Sequence, residues 1–139
     1  MDLGLIAATG WAAGLNVYAV VLILGLLGRL TDAGIPDPLT SLPVLIGAAL
    51  MYAVEFVADK VPYLDNIWDA VHTIVRPVAA AWLGYLFAGE LDLSPILGAG
   101  TSGVTAFAAH STKATTRAAV NLVFSGTLER FPKLTIAYS

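Results

Sequence analysis

The sequence predicts an all-α protein, a polytopic membrane helix bundle of about four transmembrane helices. Three observations predict this fold class. Hydrophobic residues make up 58% of the 139 residues, the mean hydropathy is +0.79, and charged residues make up only 12%. A soluble domain of this size could not bury so much apolar surface, and its charged fraction would be about 25%. The lipid bilayer is therefore the first expected partner.

Composition also excludes several classes of function. The net charge is −3 and there is no dense patch of Lys and Arg, so nucleic acid is not an expected partner. The chain has no cysteine, which excludes disulfides, thiolate chemistry and Cys-based zinc sites. The N-terminus lacks the basic segment and the cleavage site of a signal peptide, so we expect it to remain as the first membrane span.

The first two helices follow from long uncharged runs. Residues 3–28 carry no charge and, as a helix, are longer than the roughly 30 Å thickness of the bilayer hydrocarbon. Charged residues and prolines between positions 29 and 38 then indicate a loop. A second helix is predicted over residues 39–58, and it carries Glu55 after sixteen uncharged residues.

A third helix is predicted over residues 65–88. Pro77 lies inside it and should kink it, which would free the carbonyl of Thr73. The last span begins near residue 96 and reads as helix to Asn121. We therefore divide the chain into a transmembrane helical domain, residues 1–121, and an interfacial or extended C-terminal tail, residues 122–139.

The Lys and Arg residues predict the orientation, because cytoplasmic loops carry an excess of both. One predicted side has six of them and the other has only Arg29. The six are Lys60, Arg76, Lys113, Arg117, Arg130 and Lys133. We expect both termini to be cytoplasmic, with the chain in a bacterial inner (plasma) membrane.

Two segments resemble each other. Residues 14–20 and residues 103–109 each have a glycine, a polar residue and an aromatic residue at matching positions. They indicate two related halves, which could be inverted as in transporters. The second half would be incomplete, so a neighbouring copy could complete it in a homo-oligomer. Chance similarity between two apolar helices is the alternative.

Acidic side chains form a stripe on the second and third helices. Glu55 and Asp59 are four residues apart, and the next helix repeats the pattern at helical spacing with Asp65, Asp69, His72 and Arg76. Carboxylates and an imidazole at this spacing could hold a cation or relay protons. The predicted metal ligands are Glu55, Asp59, Asp69 and His72, and a divalent cation is the cofactor that they would hold. Alternatively, Asp65 and Asp69 are solvated residues at a helix start.

A basic stripe lies on the last helix. His110, Lys113, Arg117 and Asn121 share one helical face. This face could receive an anion, a phosphate headgroup or the acidic stripe itself. Because buried charges usually pair, the simplest structural account joins Glu55 or Asp69 to Arg117 or Lys113.

Two polar features lie within apolar helices. Asn16 is in the middle of the first span, where lipid offers its amide no partner. It either lines a site or joins helices at a close-packing face made by Gly10 and Gly14. Residues 98–103 contain three glycines, a threonine and a serine, and are either an unwound segment that offers backbone groups to a ligand or a small-residue packing face.

The leading functional hypothesis is a small transporter or channel-like protein that binds a cation or proton at this acidic and histidine-containing site. Its partner would be a small ion or polar solute. The alternative is a non-catalytic membrane scaffold or assembly protein with paired buried charges. An enzyme that acts on lipid headgroups is the third option, although phosphate-binding loops, zinc-protease motifs and nucleophile elbows are absent from the sequence.

Four blocks of sequence carry a resemblance to a known family. They are GWAAGLNVY at residues 10–18, EFVADKVP at 55–62, DNIWD at 65–69 and HSTKATTRAAVN at 110–121. Together they resemble a bacterial integral membrane family catalogued as domain of unknown function 4126. The resemblance implies a membrane helical fold and no established activity. It also implies a further acidic, apolar helix after residue 121, from which this chain departs in its tail.

Overall fold

The computed structural model describes the backbone of residues 2–130 and the side chains of residues 3–125. The elements are α1 (Asp2–Leu30), α2 (Asp37–Thr40), α3 (Leu42–Ala58), α4 (Pro62–Glu90) and α5 (Pro95–Arg130). The described residues contain helices and connections only, so the all-α fold class is confirmed.

The predicted second and third helices differ from the observed ones at their starts. Ser41 is extended, with φ −67° and ψ 139°, and separates the short α2 from α3. Helix α4 begins at Pro62, three residues before the predicted start, because proline suits a first helical position where its missing N–H costs nothing. Helix α4 then continues through Pro77 to Glu90.

Helix α5 is longer than predicted. It continues past Asn121 to Arg130, so the first part of the expected interfacial or extended tail is helical. Residues 131–139 of that tail lie outside the described residues. Residues 98–103 are helical as well, which agrees with the small-residue packing alternative and not with an unwound segment.

The interruption occurs in α1 instead, at Asn16. This residue has φ −155° and ψ 97°, an extended conformation between two helical segments. Its side-chain Oδ1 accepts a hydrogen bond of 2.9 Å from the backbone N–H of Ala19. An asparagine in this conformation, bonded to the third residue after it, is the N-cap of a helix. Asn16 therefore ends one half of α1 and caps the next.

Glycines bring α5 into backbone contact with two helices. A Cβ on Gly10 would overlap Ser102, and a Cβ on Gly14 would overlap the carbonyl of Ala106. The close-packing face predicted for Gly10 and Gly14 is therefore confirmed. Nearer the N-terminus of α5, a Cβ on Gly84 of α4 would overlap the Gly98 carbonyl and Ser102.

The same contacts give the directions of the helices. Positions 10 and 14 of α1 meet positions 102 and 106 of α5 in ascending order, so α1 and α5 are parallel. Positions 84, 73 and 69 of α4 meet positions 98, 110 and 117 of α5, so α4 is antiparallel to both. The C-terminal end of α1 therefore lies at the same end of the molecule as the N-terminal end of α4. We call this the 30/62 end.

Helix α4 exposes several apolar side chains and buries two ionisable ones. His72 and Arg76 are each 1% exposed, whereas Ile74 is 70% and Val78 64% exposed. Two helices, Leu3–Leu30 and Pro62–Glu90, are long and apolar enough to cross a membrane, and Leu42–Ala58 is apolar but shorter. The sequence similarity between residues 14–20 and 103–109 does not extend to conformation, because α1 is broken at Asn16 and residues 103–109 are helical.

Candidate functional site

A buried ion pair joins α3 to α4. Nη2 of Arg76 donates a hydrogen bond to Oε1 of Glu55, and the two side chains are only 2% and 5% exposed. Desolvating two charges is costly, and only a partner of opposite charge offsets that cost. Each residue therefore requires the other in this position.

The second guanidinium nitrogen of Arg76 contacts His110 of α5. Nη1 lies 2.9 Å from Nδ1 of His110, and because a guanidinium only donates, Nδ1 accepts. The hydroxyl of Thr73 donates its proton to the Asp69 carbonyl at 2.9 Å. It can therefore only accept from Nε2 of His110, at 3.1 Å. These bonds define a neutral His110 with its proton on Nε2.

A second set of bonds surrounds His72, one helical turn before Arg76. Nδ1 of His72 lies 2.8 Å from the carbonyl oxygen of Trp68, which only accepts, so Nδ1 carries the proton. In the neutral ring, Nε2 accepts from the hydroxyl of Tyr18 on α1, at 2.9 Å. The Trp68 ring packs against the imidazole with 4.7 Å between ring centroids. The neutral form of His72 therefore has the opposite tautomer to His110.

The two sets of bonds form one polar cluster, which we call the 55/76/110 cluster after its central residues. Tyr18 lies close enough to Glu55 and Arg76 for both charges to act on its hydroxyl. The cluster thus draws on α1, α3, α4 and α5.

Two atoms at the centre of the cluster have unused hydrogen-bonding capacity. Oε2 of Glu55 and Nε of Arg76 are buried and have no hydrogen-bond partner among the described residues. Buried polar atoms of this kind are rare and are found at functional sites and beside ordered water. An acceptor and a donor are therefore available within one ion pair.

The other predicted site residues lie outside this cluster. Asp69 and Arg117 form an ion pair of 3.0 Å between half-exposed side chains. The predicted pairing of Asp69 with Arg117 is confirmed, whereas Glu55 pairs with Arg76 instead. Asp59 is exposed at the C-terminal end of α3, and Asp65 is half-buried in the first turn of α4, where it suits the helix dipole. This agrees with the helix-start alternative for Asp65.

The predicted metal ligands are not brought together. Among the described residues, no three His, Asp or Glu side chains are close enough to hold one metal ion. Glu55, Asp69 and His72 instead have three different partners, namely Arg76, Arg117 and Tyr18. The divalent cation remains a prediction from the sequence, without a ligand group in this structure.

The basic stripe divides between two places. His110 joins the 55/76/110 cluster, while Lys113, Arg117 and Asn121 line a separate groove between α5 and α1. Sequence reasoning missed Tyr18 and Thr73 as members of the cluster. A polar group in the middle of an apolar helix needs a protein partner. This holds for the Tyr18 hydroxyl as it does for the Asn16 amide two residues earlier.

Fold and site together define a class of protein: an all-α protein with apolar outer surfaces and a buried, charge-neutral polar cluster. The chain belongs to the family described as Domain of unknown function (DUF4126), whose model matches residues 3–131. Comparisons with curated proteins and with solved structures found no match.

Proposed function

We propose that this protein is a small integral membrane transporter or channel-like protein in which the 55/76/110 cluster binds and relays a proton. The membrane part of the proposal is supported by α4, which exposes a row of apolar side chains on its outer face and buries two ionisable residues on its inner face. Six apolar or aromatic side chains at helical spacing are at least 41% exposed, and Arg76 on the opposite face is buried. The six are Ile67, Val71, Ile74, Val78, Trp82 and Tyr85. Lipid is the solvent in which this distribution is stable.

The observation that carries the proton site is the free Oε2 of Glu55 inside a neutral ion pair. Glu55 already has a positive partner in Arg76, so a divalent metal ion would leave the buried site with two excess positive charges, whereas a proton would leave one. A proton is small enough to add to Oε2 directly. The geometry therefore favours a proton over the divalent cation among the ligands that the sequence predicted.

Protonation of Glu55 changes the charge balance of the cluster. The carboxylate becomes neutral, and the buried guanidinium of Arg76 is left without a counter-charge, which is strongly unfavourable. Arg76 must then move or acquire another anion, and its bond to Nδ1 of His110 is the contact that such a movement would break. Proton binding at Glu55 is in this way coupled to the packing of α4 against α5.

Proton flux in proteoliposomes tests the proposal. Wild-type protein is reconstituted with a trapped pH-sensitive dye, a potassium diffusion potential is applied, and the rate of internal pH change is followed. We expect Glu55→Gln to abolish the protein-dependent flux and Glu55→Asp to restore part of it. Glu90→Gln is the matched control, because Glu90 is an exposed carboxylate at the end of α4. Wild-type flux no greater than that of empty liposomes would contradict the proposal.

The second candidate function is a non-catalytic scaffold, and the pairing of Glu55 with Arg76 and of Asp69 with Arg117 favours it. In that case the charges specify helix packing and carry no proton. The scaffold predicts no flux for any variant, together with a large loss of thermal stability in detergent for Glu55→Gln. An unchanged melting temperature for Glu55→Gln would count against it.

The helix directions support a topology different from the one the sequence predicted. Two cytoplasmic termini require an even number of crossings, but parallel α1 and α5 with antiparallel α4 fit three crossings and an α3 that spans only part of the membrane. Arg29 and Lys60 both lie at the 30/62 end. By the positive-inside tendency this end is cytoplasmic, and residue 2 is on the opposite side.

Cysteine labelling tests this topology, since the chain has no cysteine of its own. We expect Ser94→Cys, in the turn between α4 and α5, to react with a membrane-impermeant maleimide on intact cells. Lys60→Cys should react only after permeabilisation. The reverse pattern, or protection of both positions in intact cells, would contradict three crossings in this orientation. A bacterial inner membrane and a homo-oligomeric state belong to the same proposal.

A further inference from the structure

A groove of about 430 Å³ lies between the first half of α1 and the second half of α5. It is separate from the 55/76/110 cluster and begins beside Leu15, directly before the break in α1. Trp11 and Leu15 form its apolar part, and Lys113, Arg117 and Asn121 are the polar side chains on the α5 wall.

The groove has a polar end and an apolar end. Gly14 of α1 contacts Ala106 of α5, so Leu15 and Trp11 lie near that level, while Lys113 and Arg117 are two to three turns further along α5. Helix α5 runs parallel to α1 here, so those turns lead toward the 30/62 end. The polar end therefore lies nearer the 30/62 end than the apolar part does.

The charge at the polar end is one unit positive. Arg117 donates one N–H to Asp69 and retains further N–H donors, so this pair is neutral and still able to bond. Lys113 is half-buried and has no carboxylate partner among the side chains the structure describes. A ligand with one negative charge, several acceptor oxygens and an apolar chain matches the groove.

We propose that this groove binds a phospholipid whose headgroup has a net charge of −1, from the leaflet at the 30/62 end. Lys113 contacts the phosphate, Arg117 and Asn121 donate to its oxygens, and one acyl chain packs along Trp11 and Leu15. The phosphodiester supplies this single negative charge, which equals the excess charge of the groove, whereas in phosphatidylcholine the choline cation cancels it. Phosphatidylglycerol is the lipid that we choose as probe. The lipid site rests on the membrane location in the proposed function and does not depend on proton relay.

Native mass spectrometry of the full chain tests the proposal. The protein is titrated in detergent with phosphatidylglycerol and, separately, with phosphatidylcholine of the same acyl chains. We expect the first equivalent of phosphatidylglycerol to bind about tenfold more tightly than phosphatidylcholine, and Lys113→Gln to remove this preference. Lys113→Arg should keep it. Lys60→Gln is the matched control, because Lys60 is an exposed cation outside the groove.

Two further measurements separate the sources of phosphate and the effects of folding. Millimolar inorganic phosphate should leave phosphatidylglycerol binding unchanged, and competition by phosphate would overturn the assignment to a lipid. Trp11→Ala should weaken the binding of both lipids equally, because Trp11 contacts the acyl chain and not the headgroup. The melting temperature of each variant without added lipid identifies variants that fail to fold. Equal binding of the two lipids by wild type, or equal effects of Lys113→Gln and Lys60→Gln, would overturn the proposal.

Discussion

Arg76 and His110 are joined by a hydrogen bond of 2.9 Å from Nη1 to Nδ1, and this bond determines where His110 carries its proton. His72, on the same helix as Arg76, has the reverse arrangement because its Nδ1 donates to the Trp68 carbonyl. In their neutral forms, the two histidines of the chain are therefore held in opposite tautomers.

Opposite tautomers are directly measurable. We expect ¹⁵N-histidine spectra at neutral pH to give one ring with its proton on Nε2 and one with its proton on Nδ1. Tyr18→Phe removes the donor to Nε2 of His72 and should shift only the Nδ1–H ring. Tyr85→Phe, an exposed site on α4, is the control and should shift neither. Two rings with the same tautomer would show that the hydrogen-bond assignment is wrong.

The ion pair of Glu55 and Arg76 predicts strong coupling in a double-mutant cycle. Arg76→Gln leaves a buried carboxylate without its cation and should lower the free energy of unfolding in detergent by about 3–5 kcal/mol. The double variant Glu55→Gln, Arg76→Gln leaves no buried charge in the pair and should be more stable than Arg76→Gln alone. Additive effects of the two substitutions would mean that the side chains do not interact.

The half-exposed pair of Asp69 and Arg117 is the internal comparison. Solvent screens these charges, so the same cycle should give a coupling of only about 0–1 kcal/mol. A coupling as large as that of Glu55 with Arg76 would place this pair in a drier environment than the structure does.

Because the backbones of α4 and α5 are in contact, we expect the stability of the protein to depend strongly on a single methyl group added at Gly84. Gly84→Ala places a Cβ against the Gly98 carbonyl and should lower the free energy of unfolding by about 1–3 kcal/mol. Gly100→Ala, two residues from Gly98 on α5, meets nothing within 4 Å and should be neutral or stabilising. Similar melting temperatures for the two variants would contradict the helix crossing described here.

The break in α1 predicts a role for the Asn16 side chain that other capping residues can fill. Asn16→Ala removes the acceptor for the Ala19 N–H and should cost about 0.5–2 kcal/mol, whereas Asn16→Asp and Asn16→Ser should retain most of the stability. Asn66→Ala, at an exposed position of α4, is the control. If alanine is tolerated at position 16 as well as at 66, Asn16 is not a cap.

The long helices were predictable because their signals are local. The uncharged run at residues 3–28 and the prolines beside α4 give helix positions within a few residues. The break at Asn16 was not predictable, because this N-cap lies in the middle of α1 with apolar residues on both sides and no proline to indicate it. The end of α5 was predicted too early, since Gly126 within a helix costs only about 1 kcal/mol.

The helical faces that form the site were predictable from the sequence. Which side chain pairs with which was not. Spacing placed Glu55 and Arg76 among the ionisable residues that face other helices, but the choice of partner depends on the tilt and direction of helices far apart in sequence. The parallel arrangement of α1 and α5 illustrates the limit. The parallel arrangement depends on contacts of Gly10 and Gly14 with α5, and a hydropathy pattern contains no information about these contacts.

The position of Glu55 and Arg76 on consecutive helices has a consequence for biosynthesis. A ribosome completes α3 and α4 before most of α5 has been made, so the carboxylate and the guanidinium can neutralise each other while the chain is still growing. His110 arrives only later, and its imidazole meets a charge pair that already exists. In the membrane location proposed above, assembly in this order would pair Arg76 with Glu55 before α5 is complete.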